Sequence, residues 1–284
     1  MTSDYRADTW RLLITPPTDG ATNMAIDEAI LYALAEGRGH ATLRFYQWLP
    51  PCLSLGYNQP HSHVDEVACA RLGYTWVRRP TGGRAILHCD ELTYSVIVPE
   101  HEPRVAGGIV ESYRRLSRGL LAGLRLLGVE VVQAQEEKVI NPAQGAACFD
   151  TPSNYEITVG GKKLIGSAQV RRRGVVLQHG ALPLTGDLDR IFACLRTEGS
   201  SPTGVAESTG QVARARSLRD HAVTLEQSLG RAVAFEAVAA ALTQGFAQAL
   251  NLHLEPGELD AYERALAQRL RASQYANDSW NRRV

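Results

Sequence analysis

Tyr155-Glu156-Ile157-Thr158-Val159-Gly160-Gly161-Lys162-Lys163-Leu164-Ile165-Gly166-Ser167-Ala168-Gln169 alternates, breaks at paired glycines and resumes. Adjacent glycines supply the positive φ that a two-residue turn requires, so the stretch reads as a tight β-hairpin. Cys148 stands just ahead of it, at the end of a loop containing Gly, Ala and Pro that runs from Asn141 to Ala147. A thiol before the first strand and a lysine early in the second can face one another. Cysteine is the nucleophile least dependent on a strong base, and a neighbouring ammonium lowers its pKa and stabilises a developing oxyanion. Cys148 and Lys163 therefore suit acyl transfer through a thioester. The same residues have plain readings. A lone cysteine is commonly a small buried hydrophobe, and Lys162-Lys163 after Gly-Gly makes an ordinary solvated hairpin tip.

Working outward, Trp10 to Ile14 is a short apolar strand ended by Pro16-Pro17. Asn23 is expected to cap a packed helix, with Asp27 and Glu28 early in it and Gly37 at its end. Thr42 to Trp48, Leu53 to Tyr57, Tyr74 to Arg78 and Glu91 to Val98 read as strands, with a short helix from Val64 to Leu72 closed by Gly73. Val110, Tyr113, Leu116, Leu120, Leu121, Leu124 and Leu127 repeat at helical spacing up to Gly128, and Val129 to Val132 begins another strand. Ser201 to Gln211 reads as a flexible connection, followed by helical segments near 218–229, 235–250 and 256–272. Several strands lie too close in sequence for crossover helices. The expected class is α+β: a largely antiparallel or mixed sheet flanked by helices, with a helical C-terminal segment. One domain is expected over 1–284, its core at about 38–248.

The 284 residues are 44% hydrophobic, enough for a large core. Thirty Lys and Arg balance thirty Asp and Glu, which argues against a dedicated nucleic-acid binder. Five cysteines, an odd number without CxxC spacing, indicate neither a zinc site nor a disulfide framework. The polar N-terminus and the lack of a long apolar run make a soluble, cytoplasmic protein the expectation, with no membrane contact.

Arg78-Arg79-Pro80-Thr81-Gly82-Gly83-Arg84-Ala85-Ile86-Leu87-His88 combines glycines, whose backbone can approach a ligand, with arginines that attract a negative or carbonyl-rich group. No Gly-Lys-Ser/Thr follows, so it is not a phosphate-cradling Walker loop, and Pro-Thr-Gly-Gly is also an ordinary turn. His88 is a general base, a pocket wall or a satisfied structural histidine; a single histidine carries no geometry in sequence. Arg171-Arg172-Arg173-Gly174 is a solvated tip or a docking patch.

The loop from Arg78 to His88 and the segment from Gly161 to Gln169 resemble the two signature segments of the lipoate-protein ligase, octanoyltransferase and biotin-ligase superfamily. The segment from Cys148 to Glu156 is similar to that of octanoyltransferases of the LipM type, and the likeness runs from Asn23-Met24-Ala25-Ile26-Asp27-Glu28 to Tyr275-Ala276-Asn277-Asp278-Ser279-Trp280-Asn281. The resemblance implies the catalytic-domain fold of that superfamily and transfer of octanoyl from octanoyl-acyl carrier protein to a lysine of a lipoyl-accepting protein. The acceptor would be a glycine-cleavage H protein or a dehydrogenase E2 lipoyl domain. It implies Cys148 as the acyl-carrying nucleophile, Lys163 beside the carbonyl and Lys162 as a solvated neighbour. Arg79, Thr81, Gly82, Gly83, His88, Gly166, Ser167 and Ala168 would line the acyl pocket. Neither ATP nor metal is expected. The alternatives are an ATP-dependent lipoate-protein ligase, an octanoyl amidotransferase between lipoyl domains, and a non-enzymatic acyl-carrier-binding protein.

Overall fold

The computed structural model describes residues 5–133, 157–196 and 217–284. Its large sheet has eight strands in the order β11 (Leu252–Pro256), β1 (Asp8–Ile14), β2 (Thr42–Tyr46), β6 (Glu91–Pro99), β10 (Val175–Pro183), β9 (Lys162–Arg172), β8 (Ile157–Val159) and β7 (Val132–Gln133). The pairs of β1 with β11 and with β2 are parallel; the other pairings are antiparallel. A second sheet holds β4 (Thr75–Arg78), β3 (Cys52–Leu55) and β5 (Ile86–His88). The helices are α1 (Gly20–Ala35), α2 (Glu66–Arg71), α3 (Ile109–Leu126), α4 (Leu225–Leu229), α5 (Phe235–Leu250), α6 (Ala261–Leu270) and α7 (Asp278–Asn281). This is the mixed α/β architecture expected from the sequence.

Side-chain alternation along β6 divides the molecule. Leu92, Tyr94, Val96 and Val98 join the core under α3 and α5, with Leu116, Leu120, Leu242 and Phe246. Ile97 joins Ile26, Ile30 and Leu31 of α1 on the other face, where Ser95 donates to Asp27 of that helix. Fully burying one such side chain contributes about 1.5–3 kcal/mol. The Gly160-Gly161 turn forms as expected, at φ 55° and 79°, pairing Val159 with Lys162 and Thr158 with Lys163.

Four expectations need correction. The cap of α1 is Asp19, whose carboxylate accepts from the Thr22 amide at 3.0 Å; Asn23 lies inside the helix, donating to the Thr18 and Gln47 carbonyls. Asp27 and Glu28 consequently sit past the first turn and are buried in ion pairs with Arg44 and Arg172. Lys163 is not a solvated tip: it is 3% exposed, and its backbone bonds His221 and Val223. Arg171 and Arg172 are not a free tip either, because Arg171 donates to the Val105 carbonyl and Arg172 to Glu28. Finally, strand β11 was not expected, and the helix expected from residue 256 starts later. Asn251 ends α5 in the left-handed region (φ 52°), which turns the chain back alongside β1, and the next helix begins only at Ala261. The expected connection Ser201 to Gln211 lies outside the described residues.

Helices α3 and α5 touch through glycine. A Cβ on Gly245 would lie 2.2 Å from the Gly123 amide nitrogen and 2.5 Å from the Gly119 carbonyl, and backbone cannot swing aside as a side chain can. Gly245→Ala is expected to destabilise the protein by about 1–3 kcal/mol, the usual size of overpacking. An unshifted midpoint in urea unfolding would refute this packing argument.

Candidate active site

A cavity lies between the two sheets and is lined by residues of both. Met24, Tyr46, Trp48, Ile86, Ala168 and Ala181 give it apolar walls, and glycine backbone at Gly83, Gly166 and Gly180 completes them. Close backbone approach shapes one side. A Cβ at Gly56 would fall 1.8 Å from the Gly83 carbonyl oxygen, so the loop after β4 lies directly on the end of β3. The Tyr57 amide donates to the Thr81 carbonyl at 2.8 Å and fixes the same contact.

Arg79 organises this loop. Its Nε donates to Thr81 Oγ1 at 3.2 Å, one terminal nitrogen to the Ser54 carbonyl and hydroxyl at 3.1 Å each, and the other to the Gly82 and Arg84 carbonyls at 2.8 Å each. A guanidinium has five N–H groups, and these five acceptors, counted among the described residues, match them in number. A histidine lies beyond each hydroxyl. Thr81 Oγ1 is 2.7 Å from His179 Nε2, and Ser54 Oγ is 2.8 Å from His88 Nε2. Each Nδ1 in turn faces a carboxylate: Asp27 at 3.7 Å from His179 and Glu91 at 2.7 Å from His88. The Thr81 hydroxyl accepts from Arg79, and donating its proton to His179 Nε2 satisfies it fully; that arrangement corresponds to a neutral His179 ring protonated on Nδ1.

Charge balance supports the assignment. Asp27 is fully buried; desolvation pushes its pKa up, but the Arg44 guanidinium at 2.7 Å and His179 outweigh this and hold it below the usual carboxylate value. Tyr46 and Ser95 also donate to it. Burial, reinforced by the nearby Arg79, pushes His179 below the usual histidine value despite Asp27. Asp27 and Arg44 thus satisfy one another with His179 uncharged.

Of the residues picked from sequence, Arg79, Gly83, His88, Gly166, Ser167 and Ala168 border this one cavity. Thr81 is buried behind it as a link in the hydrogen-bonded chain, and Gly82 is exposed on the loop. His88 is hydrogen-bonded at both nitrogens and stacked on Trp48 with ring centroids 4.0 Å apart, so it serves as pocket wall and as a satisfied buried group. Lys163 lies three residues before Gly166 on β9. Cys148 lies outside the described residues.

Sequence reasoning missed Ser54, Asp27, Arg44, Glu91 and His179. A signal existed for two of them. Asp27 falls within the apolar run Met24 to Leu31 of α1, and Arg44 sits in the middle of an apolar strand, positions where a buried charge is retained only with a partner. Among the described residues, no group of three or more His, Cys, Asp and Glu is placed to hold a metal.

Residues 19–247 match the family model described as the lipoyl protein ligase A/B catalytic domain. The chain is 46% identical over 280 residues to a protein of Kyrpidia tusciae named octanoyltransferase LipM, spanning 97% of this chain and 99% of that one. It is likewise 46% identical over 281 residues to the octanoyltransferase LipM of Symbiobacterium thermophilum, spanning 96% and 98%. Among solved structures, lipoate-protein ligase A bound with ATP superposes with a TM-score of 0.78 at 25% identity, covering 97% of this chain and 99% of that one. With a cavity between two sheets, closed by the glycine loop and the β9 segment that first suggested the resemblance, the chain belongs to the lipoyl protein ligase A/B catalytic-domain family and, within it, to the LipM octanoyltransferases.

Proposed function

We propose that this protein transfers an octanoyl group from octanoyl-acyl carrier protein to a lysine of a lipoyl-accepting protein, through a thioester on Cys148. The observation that carries the reading is the near full-length identity to proteins named octanoyltransferase LipM. The cavity supports it, since apolar walls favour a hydrocarbon chain by about 0.8 kcal/mol per buried methylene.

In the proposed reaction Cys148 gives up its proton, the thiolate attacks the donor carbonyl and forms a new carbon–sulfur bond, the bond from that carbon to the carrier's sulfur breaks, and the departing carrier thiolate takes up the released proton. The acceptor ε-amine then attacks the new thioester; the amide forms, Cys148 leaves as thiolate, and the amine's proton passes to a base. Lys163 is assigned to the carbonyl: as a cation it stabilises the oxyanion, and as an amine it accepts the proton. Thioester to amide runs downhill, so the reaction needs neither ATP nor metal. The acceptor is a glycine-cleavage H protein or an E2 lipoyl domain. The likeness to an ATP-bound ligase keeps ATP-dependent activation of a free acid as the competing reading.

Incubation with octanoyl-carrier protein and an apo acceptor, with and without ATP, is expected to give the acceptor the mass of one octanoyl group in both arms. Cys148→Ala is expected to abolish it while Cys52→Ala and Cys89→Ala retain it. Strict dependence on ATP with free octanoate, or full turnover by Cys148→Ala, would overturn the reading. Lys163 is buried, so its charge is tested at constant bulk. Lys163→Met is expected to slow Cys148 acylation by roughly 100-fold, the size of losing one preorganised oxyanion partner. Lys162→Met, altering a residue whose Nζ donates to the Arg219 carbonyl, is expected to stay near wild type. The reverse order would remove Lys163 from the mechanism.

A further inference from the structure

His179 borders the cavity, yet both its ring nitrogens are turned to protein groups. Its partner Thr81 belongs to the loop leaving β4, and that loop is otherwise held from its own side: by Tyr57 at the Thr81 carbonyl and by Arg79 at Gly82 and Arg84. His179 is on β10 of the large sheet. Of these bonds, the one from Thr81 to His179 crosses between the sheets, so it ties the loop that carries the Gly83 wall to β10.

We propose that His179, oriented by Asp27, is a positioning residue for the transfer reaction: it fixes the Thr81 hydroxyl and thereby the glycine wall against which the acyl group lies. This role rests on the octanoyl-transfer reading of the cavity. The hydrogen-bond logic admits one tautomer. Thr81 Oγ1 accepts from Arg79, so its own proton needs an acceptor, and His179 Nε2 at 2.7 Å provides it only while unprotonated. The Asp27 carboxylate, 3.7 Å from Nδ1, puts its negative charge on that side of the ring and favours the proton there.

Protonation would place two donors on Thr81 Oγ1 and leave the hydroxyl proton without a partner. The charged and titratable groups that act on His179 are Asp27 on α1, Arg44 and Tyr46 on β2 through Asp27, Arg79 on the loop, His88 on β5 and, beyond His88, Glu91 on β6. Asp27 is already neutralised by Arg44 at 2.7 Å, so it does not demand an imidazolium, and burial together with Arg79 favours the neutral ring.

Three readouts test the role. In octanoyl transfer, His179→Ala is expected to lose about 100-fold in kcat, the scale of a small misplacement of a reacting group, with the donor KM little changed. His179→Gln places an amide oxygen near the Nε2 position and cannot titrate, so it is expected to recover most of kcat and to hold activity further into acid than wild type. In a double-mutant cycle with Thr81→Val, read both on kcat and on octanoate binding by calorimetry, the second substitution is expected to add little. The 15N spectrum of imidazole-labelled protein at neutral pH is expected to show His179 protonated on Nδ1.

Equal losses in His179→Ala and His179→Gln that track their melting temperatures, additive effects with Thr81→Val, or a proton on Nε2 would each overturn the proposal. Should wild type transfer no octanoyl group, the functional reading fails, while the tautomer and the cycle on octanoate binding still decide the role of His179.

Discussion

A guanidinium 3% exposed to solvent, that of Arg79, fixes the loop on which the cavity depends. Burying a cation costs several kcal/mol unless hydrogen bonds replace its water, and each bond to a charged group returns about 1.5–3 kcal/mol. Five acceptors surround this one, three of them main-chain carbonyls. The loop is therefore wrapped around the charge, and the charge decides which way its peptide units face. Glycine is required at the tightest point, since Gly83 has φ 93° and a Cβ there would sit 2.9 Å from the Arg79 guanidinium.

The two hydroxyls beside Arg79 pass this constraint outward. Through Ser54 it reaches His88, Glu91 and the Trp48 stack; through Thr81 it reaches His179, Asp27 and Arg44. One chain of polar contacts thus joins β3 and the glycine loop to β10, α1 and β2. Because the polar atoms at the wall bond one another, the surface offered to a guest is that of Met24, Tyr46, Trp48, Ile86, Ala168 and Ala181. A wall built this way takes up a hydrocarbon without leaving a buried donor stranded, the situation that costs most in a dry site.

Much of this was legible in the sequence where the physics is local. Paired glycines fixed the hairpin turn, helical spacing located α3 and α5, and the two signature segments located the cavity's loop and the strand opposite. Elements decided by tertiary context were not. β11 is five residues long, half exposed and paired only with a strand some 240 positions earlier, so no local pattern announces it. Asn23 looked like a cap because its side chain suits one, yet Asp19 takes that place and Asn23 serves Arg44. Lys163 looked solvated because it follows a turn, but residues 221–223 cover it from far along the chain. His179 lacked any sequence signal, because its role depends on a partner about a hundred residues away.

The same burial that builds the cavity also separates its thiols by reactivity. Desolvation pushes Cys52 and Cys89 up to about 12, which leaves on the order of one thiolate in 100,000 at neutral pH. The hydrogen bond with Cys69, together with burial, raises Cys194 as well. Cys69 is lowered by that same bond, but it is 1% exposed and held inside the core of the small sheet. An acyl thioester reacts with thiolate, not thiol. The four cysteines among the described residues are thus kept protonated or out of reach, which agrees with giving the acyl-carrying role to Cys148.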